Sequence, residues 1–332
     1  MVRTYQQSGV DLDKAQALIQ AIAPLASQTY NESVLQGVGG FFGACALPSG
    51  YKEPVLISCT DGIGTKLKLA KEAHQLYNLG LDLVAMNVND LICAFAKPLF
   101  FLDYFATSKL EPAQTLALIE GMAFGCKESG CALIGGESAQ MPGVYKAGEF
   151  DLAGFCVGLA EKSDLAKKDK IKAGDILVGF KSSGLHSNGF SLVREILKSK
   201  PKNAPSLATL LTPTRLYTPL LALKDKIHSL AHITGGGLKG NLLRILPAHL
   251  SAQIELKALP RMPVFNWLLE HIDFSECLRV FNMGVGMVAL APLESLGALM
   301  RAGGFYLGAL HTGGRVGRKK LHLWSEYGVE IF

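Results

Sequence analysis

A strand, a glycine turn and a helix follow one another around residue 60, and this succession constrains the fold more than any other feature. Pro54-Val-Leu-Ile-Ser-Cys-Thr60 is a short apolar run of strand length, and it ends in the turn Asp61-Gly-Ile-Gly-Thr-Lys66. Beyond the turn, Val84, Val88, Leu91, Ile92 and Phe95 recur at spacings of three and four. That spacing predicts a long helix, with Asn87 and Asp90 together on another face. A chain that leaves a strand this way and packs a helix back against it builds layered α/β structure.

The same alternation continues. A strand is expected at 99–105, then a helix that opens at Glu111-Pro112 and stops near Gly130, because proline suits the first helical turn and glycine the exit. Strands at 132–135 and 151–160 flank the loop Gly136-Glu-Ser-Ala-Gln-Met-Pro-Gly143. The charged stretch 161–172 reads as a linker, which divides the chain into domains 1–165 and 166–332. The second half carries strands at 175–180, near Gln253, at 285–290 and at 306–311, with helices at 190–198, 214–226, 238–246 and 263–270. No dinucleotide fingerprint and no internal repeat occurs, so the fold class is α/β (or α+β) with two mixed-sheet domains.

Composition removes whole classes of function. At 332 residues, 49% hydrophobic and 18% charged, the chain can bury a large core. Its apolar runs fall well short of the roughly 20 residues that cross a bilayer. The first eight residues contain no apolar core of a secretory signal, so no membrane is expected and the location expected is cytoplasmic. Seven cysteines without a CxxC pair read as reduced core residues rather than a zinc or disulfide framework. Charge is uneven: residues 1–165 carry a net −6 and residues 166–332 a net +11. An acidic half suits cations, and a basic half suits anionic ligands. The one basic cluster, at 315–320, has no interleaved aromatic residue, so no nucleic acid is expected as a partner.

Chemistry is expected in four glycine-rich loops, 37–43, 61–66, 184–189 and 232–237, none of which is a Walker A motif. The 61–66 loop gathers a carboxylate, two glycines, a hydroxyl and an amine, which is the inventory of a metal-phosphate site. There Asp61 would hold Mg²⁺ and Lys66 would neutralise phosphate oxygens. Asp90 with Asn87, and Glu137 after Gly135-Gly136, add oxygen ligands, and the apolar neighbours of Asp90 predict that it is buried. His186, beside Ser187 and Asn188, is a candidate acid, base or hydrogen-bond donor, with His232 a second. Thr234-Gly-Gly-Gly237 precedes a helix, where its amides can cradle a phosphate.

Taken together, Ser8-Gly-Val-Asp11, Gly39-Gly-Phe41, Thr60-Asp-Gly-Ile-Gly-Thr-Lys66, Val88-Asn-Asp-Leu91, Pro98-Leu-Phe-Phe-Leu-Asp103, Gly135-Gly-Glu137, Met141-Pro-Gly143, Gly184-Leu-His-Ser-Asn-Gly189, Thr234-Gly-Gly-Gly237 and Phe281-Asn282 closely resemble the phosphoribosylformylglycinamidine cyclo-ligases, also called aminoimidazole ribonucleotide (AIR) synthetases. The resemblance covers nearly the whole chain. It implies ATP-dependent closure of formylglycinamidine ribonucleotide to 5-aminoimidazole ribonucleotide in purine biosynthesis, with ADP and phosphate released. It also implies a homodimer whose N-terminal strands form a shared barrel. In that reading His186, Lys66 and Asp61 are catalytic. Gly39, Gly40, Asp61, Gly62, Gly64, Thr65, Lys66, Asn188, Thr234, Gly235, Gly236 and Gly237 bind ATP, and Asp61, Asp90 and Glu137 bind Mg²⁺. Two positions depart from the family pattern: Phe42 stands where glycine is expected, and Gln140 where an acidic residue is expected. Selenophosphate synthetase and thiamine-phosphate kinase share the 61–66 turn but not the motifs of the second half. The former would also need a reactive cysteine, and Cys45 lies in the cyclo-ligase-like segment 44–48. A nucleotide-binding regulator without turnover would have lost the carboxylates or His186, and all are retained.

Overall fold

Each half of the chain builds its own mixed sheet. The computed structural model describes residues 4–313, 320–325 and 328–331. Two units separate: Met1–Leu91 with Lys97–Leu159, and Ile92–Ala96 with Ala160–Phe332.

In the first unit the order is α1 (Leu12–Ser27), β1 (Val34–Gln36), β2 (Ala44–Cys45), β3 (Pro54–Gly62), α2 (Lys66–Glu72), α3 (Leu76–Ile92), β4 (Lys97–Thr107), α4 (Pro112–Ser129), β5 (Ala132–Gln140) and β6 (Phe150–Glu161). The sheet runs β3-β6-β4-β5, with β4 parallel to β5 and antiparallel to β6. The α4 boundaries follow the sequence: Pro112 opens the helix and Gly130, at φ 68°, closes it. Helices α3 and α4 meet backbone to backbone, because a Cβ on Gly80 would lie 1.9 Å from the Leu118 carbonyl oxygen and one on Gly121 1.9 Å from that of Tyr77.

Three expectations change here. Residues 67–92 form two helices rather than one, and Phe95 lies past the end of α3 at φ 55°. It is buried nonetheless, so its spacing reports burial and not helix. Strand β5 continues through Gln140, in register with Thr107 of β4, although residues 136–140 were expected in a loop. Asp90 is exposed on α3, whereas Asn87 and Asn89 beside it are buried.

The second unit continues with α5 (Lys162–Leu165), β7 (Ile176–Lys181), α6 (Phe190–Lys198), α7 (Leu207–Leu210), β8 (Ser229–His232), α8 (Gly237–Ile245), β9 (Leu250–Glu255), α9 (Pro263–Leu269), α10 (Phe274–Val280), β10 (Val285–Ala291), α11 (Leu296–Arg301), β11 (Gly304–Thr312), β12 (Lys320–Ser325) and β13 (Gly328–Ile331). Its sheet runs β13-β12-β9-β11-β7-β10-β8. Strand β10, paired between β7 and β8, is buried at every position, as its unbroken apolar run requires. The stretch expected as a linker carries α5 and a 3-10 turn, held where Asp164 pairs with Lys167 at 2.9 Å and Lys224 at 2.8 Å. Where a helix was expected at 214–226, Thr218–Lys226 is 3-10, with Pro219 in its first turn. Apart from Lys320, the basic cluster at 315–320 lies outside the described residues. Among the described residues no helix is long and apolar enough to cross a membrane, and all seven cysteines are free thiols.

Candidate active site

In the first unit, β3 delivers Asp61 to the head of its turn. The Asp61 side chain is half-buried, and its Oδ1 accepts the Gly62 N–H at 2.8 Å. Asn87 Nδ2 donates to the Leu83 carbonyl at 2.9 Å and to the Asp61 carbonyl at 3.4 Å, tying the turn to α3. Ile63 is fully buried and donates its N–H to the Leu152 carbonyl at 3.3 Å. Gly64, at φ 62°, and Thr65 are left exposed. A cavity of about 630 Å³ opens beside them, lined also by Lys68, Lys71, Tyr145 and Asp151. That volume accommodates a nucleotide-sized ligand.

Lys66, the last residue of the motif, is enclosed. It is 0% exposed, and its Nζ lies 2.6 Å from Oδ2 of Asp82, also 0% exposed. Burial pushes the Lys66 ammonium below the usual lysine range, and Asp82 opposes that shift. Gly39, at φ 113°, and Gly40 lie on an exposed loop that also presents Phe41 and Phe42.

Glu137 is exposed on β5, in register with Tyr104. Next to it, Asp103 of β4 faces Gly136, where a Cβ would lie 2.1 Å from Asp103 Oδ1. Burial, reinforced by the Glu137 charge, pushes the Asp103 carboxyl up to about 7. Among the described residues no group of three or more His, Cys, Asp or Glu is arranged to hold a metal ion.

The 184–189 loop of the second unit is built on a buried imidazole. His186 is at φ 60° and 0% exposed, and its Nε2 accepts the Ser183 N–H at 3.2 Å. Its ring stands 6.3 Å from that of Tyr217. Gly286 makes room for both rings, since a Cβ there would lie 2.0 Å from Tyr217 Oη and 2.6 Å from His186 Cε1. Ser187 and Asn188 are half-buried, and a Cβ on Gly235 would come within 3.3 Å of Asn188 Oδ1, so this loop and the 234–237 loop adjoin. Asn241 Nδ2 staples the latter, donating to the carbonyls of Thr234 at 3.3 Å, Gly235 at 3.4 Å and Gly237 at 2.8 Å. Gly237, at φ 59°, lies so close to α10 that a Cβ would be 1.9 Å from the Leu278 carbonyl oxygen. His232 is buried at the end of β8.

Residues 44–160 match the family model of the AIR synthase related protein N-terminal domain, and residues 172–306 match that of the C-terminal domain. The phosphoribosylformylglycinamidine cyclo-ligase of Burkholderia vietnamiensis is 49% identical over 316 residues, which span 91% of this chain and 90% of that protein. The cyclo-ligase of Xylella fastidiosa is 46% identical over 313 residues, spanning 90% and 89%. The chain belongs to the phosphoribosylformylglycinamidine cyclo-ligase family. Solved structures share the fold at lower identity. Thiamine-monophosphate kinase from Stenotrophomonas maltophilia superimposes with a TM-score of 0.68 at 18% identity, covering 92% of this chain and 95% of that one. Hydrogenase maturation protein HypE in complex with ATP gives 0.68 at 16%, covering 96% and 93%.

In this cyclo-ligase family member the departure at Gln140 has a structural account. Its side chain accepts the Asp11 N–H at 3.2 Å and donates to the Asp11 carbonyl at 3.1 Å, and a carboxylate could make only the first bond. Asp82, Asn241 and Tyr217 were not singled out from sequence. Asp82 did leave a signal, an acidic residue inside the apolar helical run 79–86.

Proposed function

We propose that this member of the cyclo-ligase family converts formylglycinamidine ribonucleotide to 5-aminoimidazole ribonucleotide at the expense of ATP. The formyl oxygen attacks the γ-phosphoryl group and ADP leaves. A substrate nitrogen then attacks the activated carbon, phosphate departs with the oxygen, and the imidazole ring closes. In-line transfer of this kind depends on positioning and charge neutralisation, not on covalent help from the protein. The observation that carries the reading is the 61–66 turn, with its half-buried carboxylate and its exposed Gly64 and Thr65 opening on a cavity of about 630 Å³.

Asp61, Asp90 and Glu137 are the oxygen donors we assign to Mg²⁺. Carboxylates suit a hard cation that keeps water and phosphate oxygens in its shell. When bound, the ion supplies charge neutralisation at the phosphates. Gly62, Gly64 and Thr65 in the first unit and Asn188 with 234–237 in the second are proposed to bind the anionic groups of ATP and ribonucleotide. The enclosure of His186 favours a role in holding Ser187 and Asn188 in place over direct proton transfer.

A homodimer is part of the proposal. Leu56 of β3, Phe155 of β6 and Tyr104 of β4 leave apolar surface exposed on the first unit's sheet, which a second copy forming a barrel would cover. The cytoplasm is the proposed location. With ATP, Mg²⁺ and formylglycinamidine ribonucleotide, ADP is expected to appear in step with the aminoimidazole product. ADP release that ignores the ribonucleotide, or that follows thiamine phosphate or selenide instead, overturns the reading.

A further inference from the structure

The enclosed pair Lys66–Asp82 is costly to build. Taking two charges out of water forfeits their hydration, and an apolar pair of equal volume generally serves stability as well or better. Its place in the fold suggests what it does. Lys66 is the first residue of α2, directly after the turn, and Asp82 lies on α3, five residues before Asn87. The turn is therefore tied to one helix at both ends: Asn87 holds the Asp61 carbonyl at 3.4 Å, and Asp82 holds the Lys66 ammonium at 2.6 Å. Between the ties Ile63 is buried, while Gly64 and Thr65 remain exposed.

We infer that Lys66 and Asp82 are positioning residues: their buried ion pair fixes the 61–66 turn against α3, and Lys66 serves the phosphate surface through the backbone without touching phosphate. This rests on the reading of the turn as that surface. A flexible glycine turn needs such an anchor, because displacement by about an ångström can reduce a reaction on the order of a hundredfold. An ion pair also specifies one helix register where an apolar pair would tolerate several.

A double-mutant cycle with near-isosteric apolar replacements separates anchoring from phosphate contact. K66M, D82L and K66M/D82L are compared for melting temperature, exchange of the Ile63 and Thr65 amide hydrogens, and the KM for ATP and kcat, each per folded molecule. Each single variant takes the ion-pair partner from one buried charge, so lower melting, faster exchange and roughly tenfold or greater loss of kcat/KM are expected. In the double variant all of these should return to within about threefold of wild type. A double variant that recovers melting and exchange while KM and kcat stay at the K66M level overturns the inference, because the missing ammonium is then needed at the phosphate. A single variant with unchanged exchange and KM overturns it too. If the apolar variants do not fold, the neutral pair K66Q/D82N is read by the same criteria. Melting and amide exchange do not depend on substrate identity, so a chain that anchors its turn but makes no aminoimidazole product rejects the proposed reaction and leaves the anchor standing.

Discussion

The 61–66 turn of the first unit and the 184–189 turn of the second unit are alike in sequence, each placing a reactive side chain among glycines. The structure treats them alike in one respect: Lys66 and His186, the residues whose chemistry drew attention, are both completely enclosed. They differ in what encloses them. Lys66 meets a charge, Asp82 at 2.6 Å, whereas His186 accepts the Ser183 N–H and stands beside the Tyr217 ring. In both turns the side chains left accessible are their modest neighbours, Asp61 and Thr65 in one, Ser187 and Asn188 in the other. A strong ionic or aromatic group is well suited to pinning a glycine turn, because the glycines themselves contribute no side-chain packing.

The sharpest break between a charged and a neutral anchor comes from removing one partner. K66M leaves the Asp82 carboxylate buried without its ammonium and is expected to cost about 3–5 kcal/mol of stability, measured by denaturant unfolding. H186Q, which keeps a polar side chain in a neutral setting, should cost clearly less. Equal losses would erase the distinction.

Titration extends the contrast. Asp103 is held up to about 7 against an unfolded value near 3.8, so the folded first unit binds a proton that the unfolded chain releases. The resulting stabilisation is fully present below the unfolded value and is lost as pH rises through about 7, with an upper bound of ~4 kcal/mol. D103N is expected to flatten that fall between pH 4 and 8, and a wild-type curve already flat over this window contradicts the assignment. On the neutral side, G286A drives a methyl group into Tyr217 and His186. It should cost roughly 1–3 kcal/mol and disturb the 184–189 turn, visible as faster exchange of the Ser183 amide. Smallest of all, Q140E removes the bond donated to the Asp11 carbonyl and should cost about 1 kcal/mol.

Much of the fold was legible because its signals are local. Pro112 and Gly130 bound α4, the unbroken apolar run at 285–291 is a strand buried throughout, and the glycine turn after β3 lies where the sequence placed it. Legibility failed where burial or pairing overrode a local pattern. Phe95 kept helical spacing by packing in a turn, and Gly136 looked like the start of a loop although it lies in β5. Asp90 was expected to be buried because its neighbours are apolar, yet it is Asn87, one helical turn earlier, that points inward and Asp90 that is exposed.

By itself the sequence determined the succession of strands and helices, the glycine turns and the family to which the chain belongs, since each is written in short-range spacing or in motifs read one after another. Tertiary structure alone decided which members of those motifs reach solvent. The partners that settle it stand far away along the chain: Asp82 for Lys66, Tyr217 and Gly286 for His186, Asp11 for Gln140. Burial of a charge or a ring depends on what the packed elements bring against it, and no local spacing encodes that.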